Sequence, residues 1–598
     1  MSSYVAPLKD MRFVLKELAG LGEVAQLPGY EEATADTVDA ILEESSKFAS
    51  EVLDPLNYSG DREGSRWHDG SVTTPKGFKQ AYRQYVDGGW GALPFGPEHG
   101  GQGLPKLVAT VVEEMLTSAN MSFSLCPLLT QGAIHALELA GTDALKKTFL
   151  GNMVAGKWTG TMNLTEPQAG SDLALVRSKA VKVNDAKLGS HYRISGQKIF
   201  ITYGEHDLAE NIVHLVLART PDAPEGVKGI SLFIVPKFLV QPDGSLGERN
   251  GARCASIEHK LGIHASPTAV MVYDNAIGYL VGEENKGLSY MFIMMNAARF
   301  SVGLEGVAIA ERAFQRALAY AKQRLQGRDL AGGGTVPIIR HPDVRRMLML
   351  MKSQTEATRA LAYVVAAALD VAARHPDEQL RQQNQAFVDL MIPVVKGWST
   401  ETGIEVASLG VQVHGGMGFV EETGAAQHLR DARITTIYEG TTGIQANDLV
   451  GRKIAREGGA TARAWLAHLK SFDAELAQSG NADVKVIRVA LASGAAAVGE
   501  SIAYIVATAG KDVLATFAGA VPFLKLMGIV AGGWQMARAA LAAERNLGAG
   551  DKAFHQAKLA TARFYADQVL VQAPALRDTV VKGATAVMSI PEDSMLAA

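Results

Sequence analysis

Tyr192-Arg193-Ile194, Ile199-Phe200-Ile201-Thr202, Ile212-Val213-His214-Leu215-Val216-Leu217 and Ser231-Leu232-Phe233-Ile234-Val235 follow one another within His191–Leu239. Turn-rich segments such as Pro221-Asp222-Ala223-Pro224-Glu225-Gly226 separate them. These are β-branched and aromatic runs of strand length. A further run, Ala269-Val270-Met271-Val272-Tyr273, precedes Gly282. No helix-length segments alternate with the runs, so they predict a compact antiparallel sheet rather than βαβ units.

Outward from the sheet the period lengthens to three and four residues, as in Thr34–Leu42 and Leu107–Leu116, which predicts helices. Helical spacing returns at about Leu288 and lasts to Ile454. Glu457-Gly458-Gly459 and Gln478-Ser479-Gly480-Asn481 then read as linkers within an Ala-rich helical tail. The expected fold is mainly α with a central β domain. Its expected domains are helical 1–160, β 161–283, helical 284–455 and additional helical 456–598. A length of 598 residues suggests about four domains as well.

Composition narrows the function. Apolar residues make up 47% of the chain and charged residues 20%, the balance of a protein with large cores. A net charge of −4 argues against nucleic acid, whose binding rests on an excess of Lys and Arg. Cys126 and Cys254 stand alone, and there is no HExxH, so neither a disulfide framework nor a zinc site is expected. Met1-Ser2-Ser3-Tyr4-Val5 lacks the plan of a secretory signal. The most apolar stretch, Val513–Trp534, is interrupted by Pro522 and Lys525. It reads as buried helix, with a membrane-touching surface as the alternative and no transmembrane segment. A cytoplasmic protein is the expectation.

Four segments carry candidate chemistry. Leu164-Thr165-Glu166-Pro167-Gln168-Ala169-Gly170-Ser171-Asp172 is a loop whose N–H groups and hydroxyls suit a polar heterocycle or a phosphate. In Gln197-Lys198-Ile199-Phe200-Ile201-Thr202, strand alternation puts Phe200 and Thr202 on one face, which suits a flat ring or plain core packing. Gln412-Val413-His414-Gly415-Gly416-Met417-Gly418 permits close backbone approach or makes a simple turn. Arg430-Asp431-Ala432-Arg433-Ile434-Thr435-Thr436-Ile437-Tyr438-Glu439-Gly440-Thr441-Thr442 sets one carboxylate among apolar, aromatic and glycine neighbours. If buried, such a Glu would have a raised pKa and become an effective base.

Together with Lys260-Leu261-Gly262-Ile263-His264-Ala265-Ser266-Pro267-Thr268, these segments stand in the order found in acyl-CoA dehydrogenases. The chain resembles that family over roughly Thr34 to Lys453. Gly278–Leu288 and Pro7–Phe13 resemble its long subgroup, which has an extra C-terminal helical domain. The resemblance implies FAD-dependent α,β-dehydrogenation of a fatty acyl-CoA or 3-methylmercaptopropionyl-CoA thioester to the trans-2-enoyl-CoA. Glu439 matches the base, its backbone N–H and a flavin ribityl hydroxyl serve the enolate oxygen, and hydride passes to flavin N5. Some members place the base just before an Arg on another helix; here that position is Ala298, before Arg299, and Ala cannot take a proton.

By the same matching, Leu164, Thr165, Phe200 and Thr202 face the flavin, while Arg324, Gln412, Gly416 and Thr441 hold the rest of FAD, partly across a subunit interface. Ser171 and Arg299 lie along CoA. For Arg299 and Arg324 a structural surface salt bridge is the alternative. Gln326-Gly327, Pro342 and Gly443 depart from the family pattern on the adenine side. The implied partners are an electron-transfer flavoprotein and further copies of the chain, as a homodimer or dimer of dimers. An acyl-CoA oxidase would share the base. A monooxygenase on this scaffold would lack it, and a non-catalytic binding or assembly protein would lack the base or the flavin contacts.

Overall fold

In the computed structural model, residues 3–185, 189–548 and 550–596 are described. Met1 and Ser2 of the N-terminal reading, and the last two residues of the tail, lie outside them. The chain divides into two compact units. One comprises Ala40–Leu104 and Met115–Ser301; the other comprises Met1–Asp39, Pro105–Glu114 and Val302–Ala598.

The first unit contains a seven-stranded sheet. Its strands are β1 (Trp158–Asn163), β2 (Lys179–Asp185), β3 (Gly189–Thr202), β4 (Asn211–Ala218), β5 (Ser231–Pro236), β6 (Ala252–Ile257) and β7 (Thr268–Val281). The order is β1-β4-β5-β7-β3-β2, with β6 also pairing β7. All pairings are antiparallel except β1 with β4, where Trp158 to Asn163 run parallel to Asn211 to Val216. The antiparallel expectation is corrected at this edge. Every residue of β4 and β5 is buried. Strands covered on both faces lose the apolar–polar alternation that would mark their pairing in the sequence. The Met121–Ala140 helix packs on β1.

The second unit is helical. From α1 (Gly287–Gln323), whose residues from Val302 onward belong to it, the chain passes to α2 (Pro342–Arg374) and α3 (Glu378–His414). The short α4 (Thr442–Asn447) follows, then the tail helices α5 (Ala460–Gln478), α6 (Ala482–Thr508), α7 (Ala520–Arg545) and α8 (Lys552–Gln568). Asn481 caps α6 by accepting from the Asp483 and Val484 amides, which is why the polar Ser479-Gly480-Asn481 segment breaks the helical pattern.

The apolar stretch Val513–Trp534 is largely α7, and α7 is a core helix that packs on α2, α3, α6 and α8. A side chain at Gly528 or Gly532 would collide with the Trp398 ring of α3, at 2.1 and 2.5 Å. These glycines of the apolar stretch are therefore the groove for a tryptophan. Val513 and Leu514, just before α7, are exposed. Among the described residues two helices, α1 and α6, are long and apolar enough to span a membrane by length and composition alone; most of the apolar window of α1 is buried in the fold.

A cluster of buried charge joins the N-terminal segment to the tail. Arg359 on α2 donates to Asp10 at 2.8 Å, to Glu114 at 2.7 Å and to Glu311 at 2.7 Å. Lys558 on α8 pairs with Asp10 and, at 2.7 Å, with Glu356. Lys352 also pairs with Glu356, and the Tyr363 hydroxyl donates to Glu114 at 2.7 Å. Burial pushes the Asp10 carboxyl up, but Lys558 and Arg359 outweigh it and hold it at about 2. Removing one partner from such a cluster leaves a charge in a dry site. Lys558→Met is expected to cost about 3–5 kcal/mol, read as a lowered urea midpoint; an unchanged midpoint would show the cluster to be dispensable.

Candidate active site

The sheet unit positions the first group of expected residues. Leu164 and Thr165 follow β1 and are half-buried. Their loop closes through paired backbone hydrogen bonds between Glu166 and Ala169, each 2.9 Å. Buried Lys198 fastens it to β3, its ammonium donating to Leu164 O at 3.0 Å and Glu166 Oε1 at 2.8 Å. The Ile199 amide adds a bond to Thr165 O at 2.9 Å. The loop therefore lies beside the strand segment that bears Phe200.

At Phe200 the strand is irregular. Lys198 pairs with Met271 but Ile201 pairs with Ala269, so three steps on β3 face two on β7. Phe200 has φ +60°, and the residue is 60% exposed. A bulky residue held left-handed in a bulge is strain of the kind that gathers at functional sites. Thr202 is half-buried and pairs with Thr268. The bulge, rather than plain alternation, sets how Phe200 and Thr202 are presented. Ser171 is exposed, while Arg299 on α1 is only 4% exposed, which excludes a surface salt bridge for it.

The helical unit positions the rest. After the 3-10 turn Arg433–Thr436, the amides of Ile437 and Tyr438 both bond to Ile434 O, and Glu439 and Gly440 then take φ +55° and +89°. Thr441 caps α4 by accepting from the Ile444 amide. Fully buried Lys396 on α3 donates to Thr435 O at 2.8 Å and to Gly440 O at 2.7 Å. Gln445 donates to Glu439 O at 3.1 Å and Gly440 O at 3.3 Å. Two buried side chains thus hold the carbonyls of a strained turn from behind. The Tyr438 hydroxyl donates to Glu305 Oε2.

Glu439 itself is half-buried. Glu305, which accepts the Tyr438 hydroxyl, is raised to about 8 by desolvation, against the opposing pull of the Tyr438 bond and Lys396. Nothing in the sequence singles out Glu305, which reads there as one polar residue in an apolar helix. Arg324, just beyond α1, and Gln412 and Gly416, at the end of α3, are exposed. Neighbouring Met417 is exposed too, and Phe419 is 88% exposed. A side chain at Gly415 or Gly416 would meet nothing within 4 Å, so open space lies against this backbone. His414, by contrast, is buried, bonded to Gly410 O and stacked on Tyr320. Among the described residues no His, Cys, Asp or Glu cluster could hold a metal.

Family models match the whole of this plan. The acyl-CoA dehydrogenase N-terminal domain matches 35–157, the middle domain 161–276 and the C-terminal domain 285–454, followed by an acetyl-CoA dehydrogenase C-terminal-like domain at 464–591. The chain is 54% identical to 3-methylmercaptopropionyl-CoA dehydrogenase of Ruegeria pomeroyi, over 96% of this chain and 97% of that protein. The chain belongs to the acyl-CoA dehydrogenase family. This dehydrogenase is also 35% identical to the broad-specificity linear acyl-CoA dehydrogenase FadE5 of Mycobacterium tuberculosis, over 97% and 98% of the two chains. Its fold matches the acyl-CoA dehydrogenase from Bacillus anthracis complexed with FAD, with a TM-score of 0.73 at 20% identity, covering 97% of this chain and 92% of that one. FAD is the family's cofactor. The residues here fit it: an exposed ring at Phe200, half-buried hydroxyls at Thr165 and Thr202, and uncrowded backbone at Gly415 and Gly416.

The Lys198–Glu166 pair makes the first group of residues sensitive to acid. Burial raises the Glu166 carboxyl, but Lys198, Ser178 and the Arg177 amide overcome this and bring it down to about 2. A carboxyl held below its ordinary value stabilises fully above that value, and the contribution disappears as pH falls through the folded one. Urea midpoints are therefore expected to fall between about pH 4.5 and pH 2. Glu166→Gln strands Lys198, so it should cost about 3–5 kcal/mol at neutral pH and flatten that acid limb; an acid limb as steep as the native one would contradict the pairing.

Proposed function

We propose that this enzyme oxidises the α,β bond of an acyl-CoA thioester to the trans-2-enoyl-CoA, with Glu439 as the base. The observation that carries the reading is the Glu439 turn. A carboxylate side chain is borne on a left-handed residue whose carbonyl is held by Gln445, next to a glycine held by Lys396. Such a turn fixes a side chain at low reorganisation cost, which is what abstraction of a weakly acidic α-proton requires. Glu439 takes that proton, and its backbone N–H meets the thioester oxygen as negative charge develops there. Bound FAD supplies the acceptor for the β-hydrogen as hydride.

Leu164, Thr165, Phe200 and Thr202 are assigned to the flavin ring, Arg324, Gln412, Gly416 and Thr441 to the rest of FAD, and Ser171 and Arg299 to CoA. The exposure of Phe200 supports the first group. The exposed Met417 and Phe419 beside Gly416 support a homodimer or dimer of dimers in which a second copy covers them. Likeness to the Ruegeria pomeroyi protein favours 3-methylmercaptopropionyl-CoA as substrate, with straight-chain acyl-CoAs behind it. An electron-transfer flavoprotein is the proposed acceptor and the cytoplasm the proposed compartment. The proposed domains are 1–160, 161–283, 284–455 and 456–598.

Glu439→Gln is expected to keep FAD and acyl-CoA binding and to slow flavin bleaching roughly 10²–10⁴-fold. Anaerobic titration with 3-methylmercaptopropionyl-CoA and C4 to C18 acyl-CoAs checks both base and substrate. Near-native bleaching in the variant would remove Glu439 from the mechanism. Rapid reoxidation of the substrate-reduced native enzyme by oxygen would identify an oxidase instead.

A further inference from the structure

Glu305 is a buried carboxyl that the proposed reaction does not use. It lies on α1 two turns beyond Ala298, is 1% exposed, and accepts the Tyr438 hydroxyl on Oε2. Its other oxygen, Oε1, is buried without a hydrogen-bond partner. Four groups face it from the elements packed around it. Lys396 comes from α3, Glu113 from the Lys106–Ala119 helix, and Tyr438 and Glu439 from the turn that follows Thr436. Lys396 is the cation among them, and its ammonium is already engaged with Thr435 O and Gly440 O. Glu113 leans toward Lys106, 3.4 Å away.

A charged Glu305 would therefore leave a bare oxygen in a dry site near two other carboxylates. A neutral Glu305 avoids the larger penalty: with its proton on Oε1 it leaves an unpaired hydroxyl rather than an unpaired charge, and its carbonyl still receives the Tyr438 hydroxyl. We propose that Glu305 is a positioning residue for Glu439: in its uncharged form it anchors the Tyr438 hydroxyl, and with it the strained turn, without setting a second negative charge beside the base. This rests on Glu439 being the base. Lys396 and Gln445 hold the turn by its backbone and Glu305 holds it by a side chain, so the residue before Glu439 is tied at a third point.

Burial raises Glu305 to about 8, helped by Glu113 and Glu439 and opposed by Tyr438 and Lys396. A carboxyl whose folded value lies above its unfolded one stabilises fully below the unfolded value. That contribution declines as pH rises and is gone above the folded value. Ionisation also brings charge next to Glu439 while negative charge is building on the substrate, so flavin reduction should slow as pH passes about 8.

The test uses the FAD-loaded full chain as native protein, Glu305→Gln and Tyr438→Phe. Infrared spectra of the native protein should contain the carbonyl stretch of a protonated carboxylic acid at neutral pH. The component of this band that fades as pH rises through about 8 should be missing from Glu305→Gln, so that it stands out in the native-minus-variant difference spectrum. Glutamine mimics the protonated acid, so the variant should gain stability in urea relative to native protein as pH rises. Substrate bleaching of native flavin should slow roughly tenfold across this ionisation, the factor expected when a like charge intrudes on a site. Glu305→Gln should flatten that fall with little change in KM, and Tyr438→Phe should lower kcat while keeping the infrared band.

A native-minus-variant difference spectrum without a protonated-carboxyl band that fades through about pH 8 overturns the proposal. A Glu305→Gln enzyme with the native alkaline fall overturns it equally. The infrared and urea readouts do not depend on turnover, so they judge Glu305 even if Glu439→Gln removes the base assignment.

Discussion

Buried Arg359 is the hub of the helical unit. Its guanidinium spans Asp10, Glu114 and Glu311, while Lys558 and Lys352 bring further positive charge to Asp10 and Glu356. Each of these charges would cost several kcal/mol to bury alone. Together they demand that the N-terminal segment around Asp10, α1, α2 and the tail helix α8 be present in one arrangement. The tail is therefore part of the core of its unit rather than an appendage. The Trp398 ring set against Gly528 and Gly532 carries the same dependence to α3, the helix that supplies Lys396.

A second device recurs at smaller scale. Lys198 in the sheet unit and Lys396 in the helical unit are both fully buried ammonium groups aimed at backbone carbonyls of a loop. Lys198 holds the Leu164 loop, adjacent to left-handed Phe200. Lys396 holds the turn of left-handed Glu439. A φ above zero costs a bulky residue of order 1–3 kcal/mol and persists only where surroundings over-determine it. A buried cation with carbonyl partners supplies that determination, because releasing the loop would leave a charge desolvated and unpaired. The two units thus solve the same problem with the same chemistry: a rigid backbone that presents one functional side chain.

Much of this is legible in the amino-acid sequence. The strand runs between Tyr192 and Val235 mark the sheet, the helical periods mark the blocks on either side, and the ordered motifs mark the family. Legibility ends where burial on both faces erases alternation, which hides the parallel pairing of β1 with β4. Strand alternation also gives no sign of the bulge and left-handed backbone at Phe200. Burial also raises the carboxyl of Glu305, which accepts the Tyr438 hydroxyl beside the turn and which nothing in the sequence singles out.

The sequence by itself determined the order of helical and β segments, the family and the identity of Glu439 as the candidate base, because periodicity and local motifs are written in contiguous residues. Only the tertiary structure decided which charges share a dry site. Asp10, Arg359 and Lys558 are far apart in the chain, as are Glu305, Lys396 and Tyr438. Their ionisation and their hold on the backbone depend on desolvation and on partners brought from other helices, and neither quantity exists until the chain has folded.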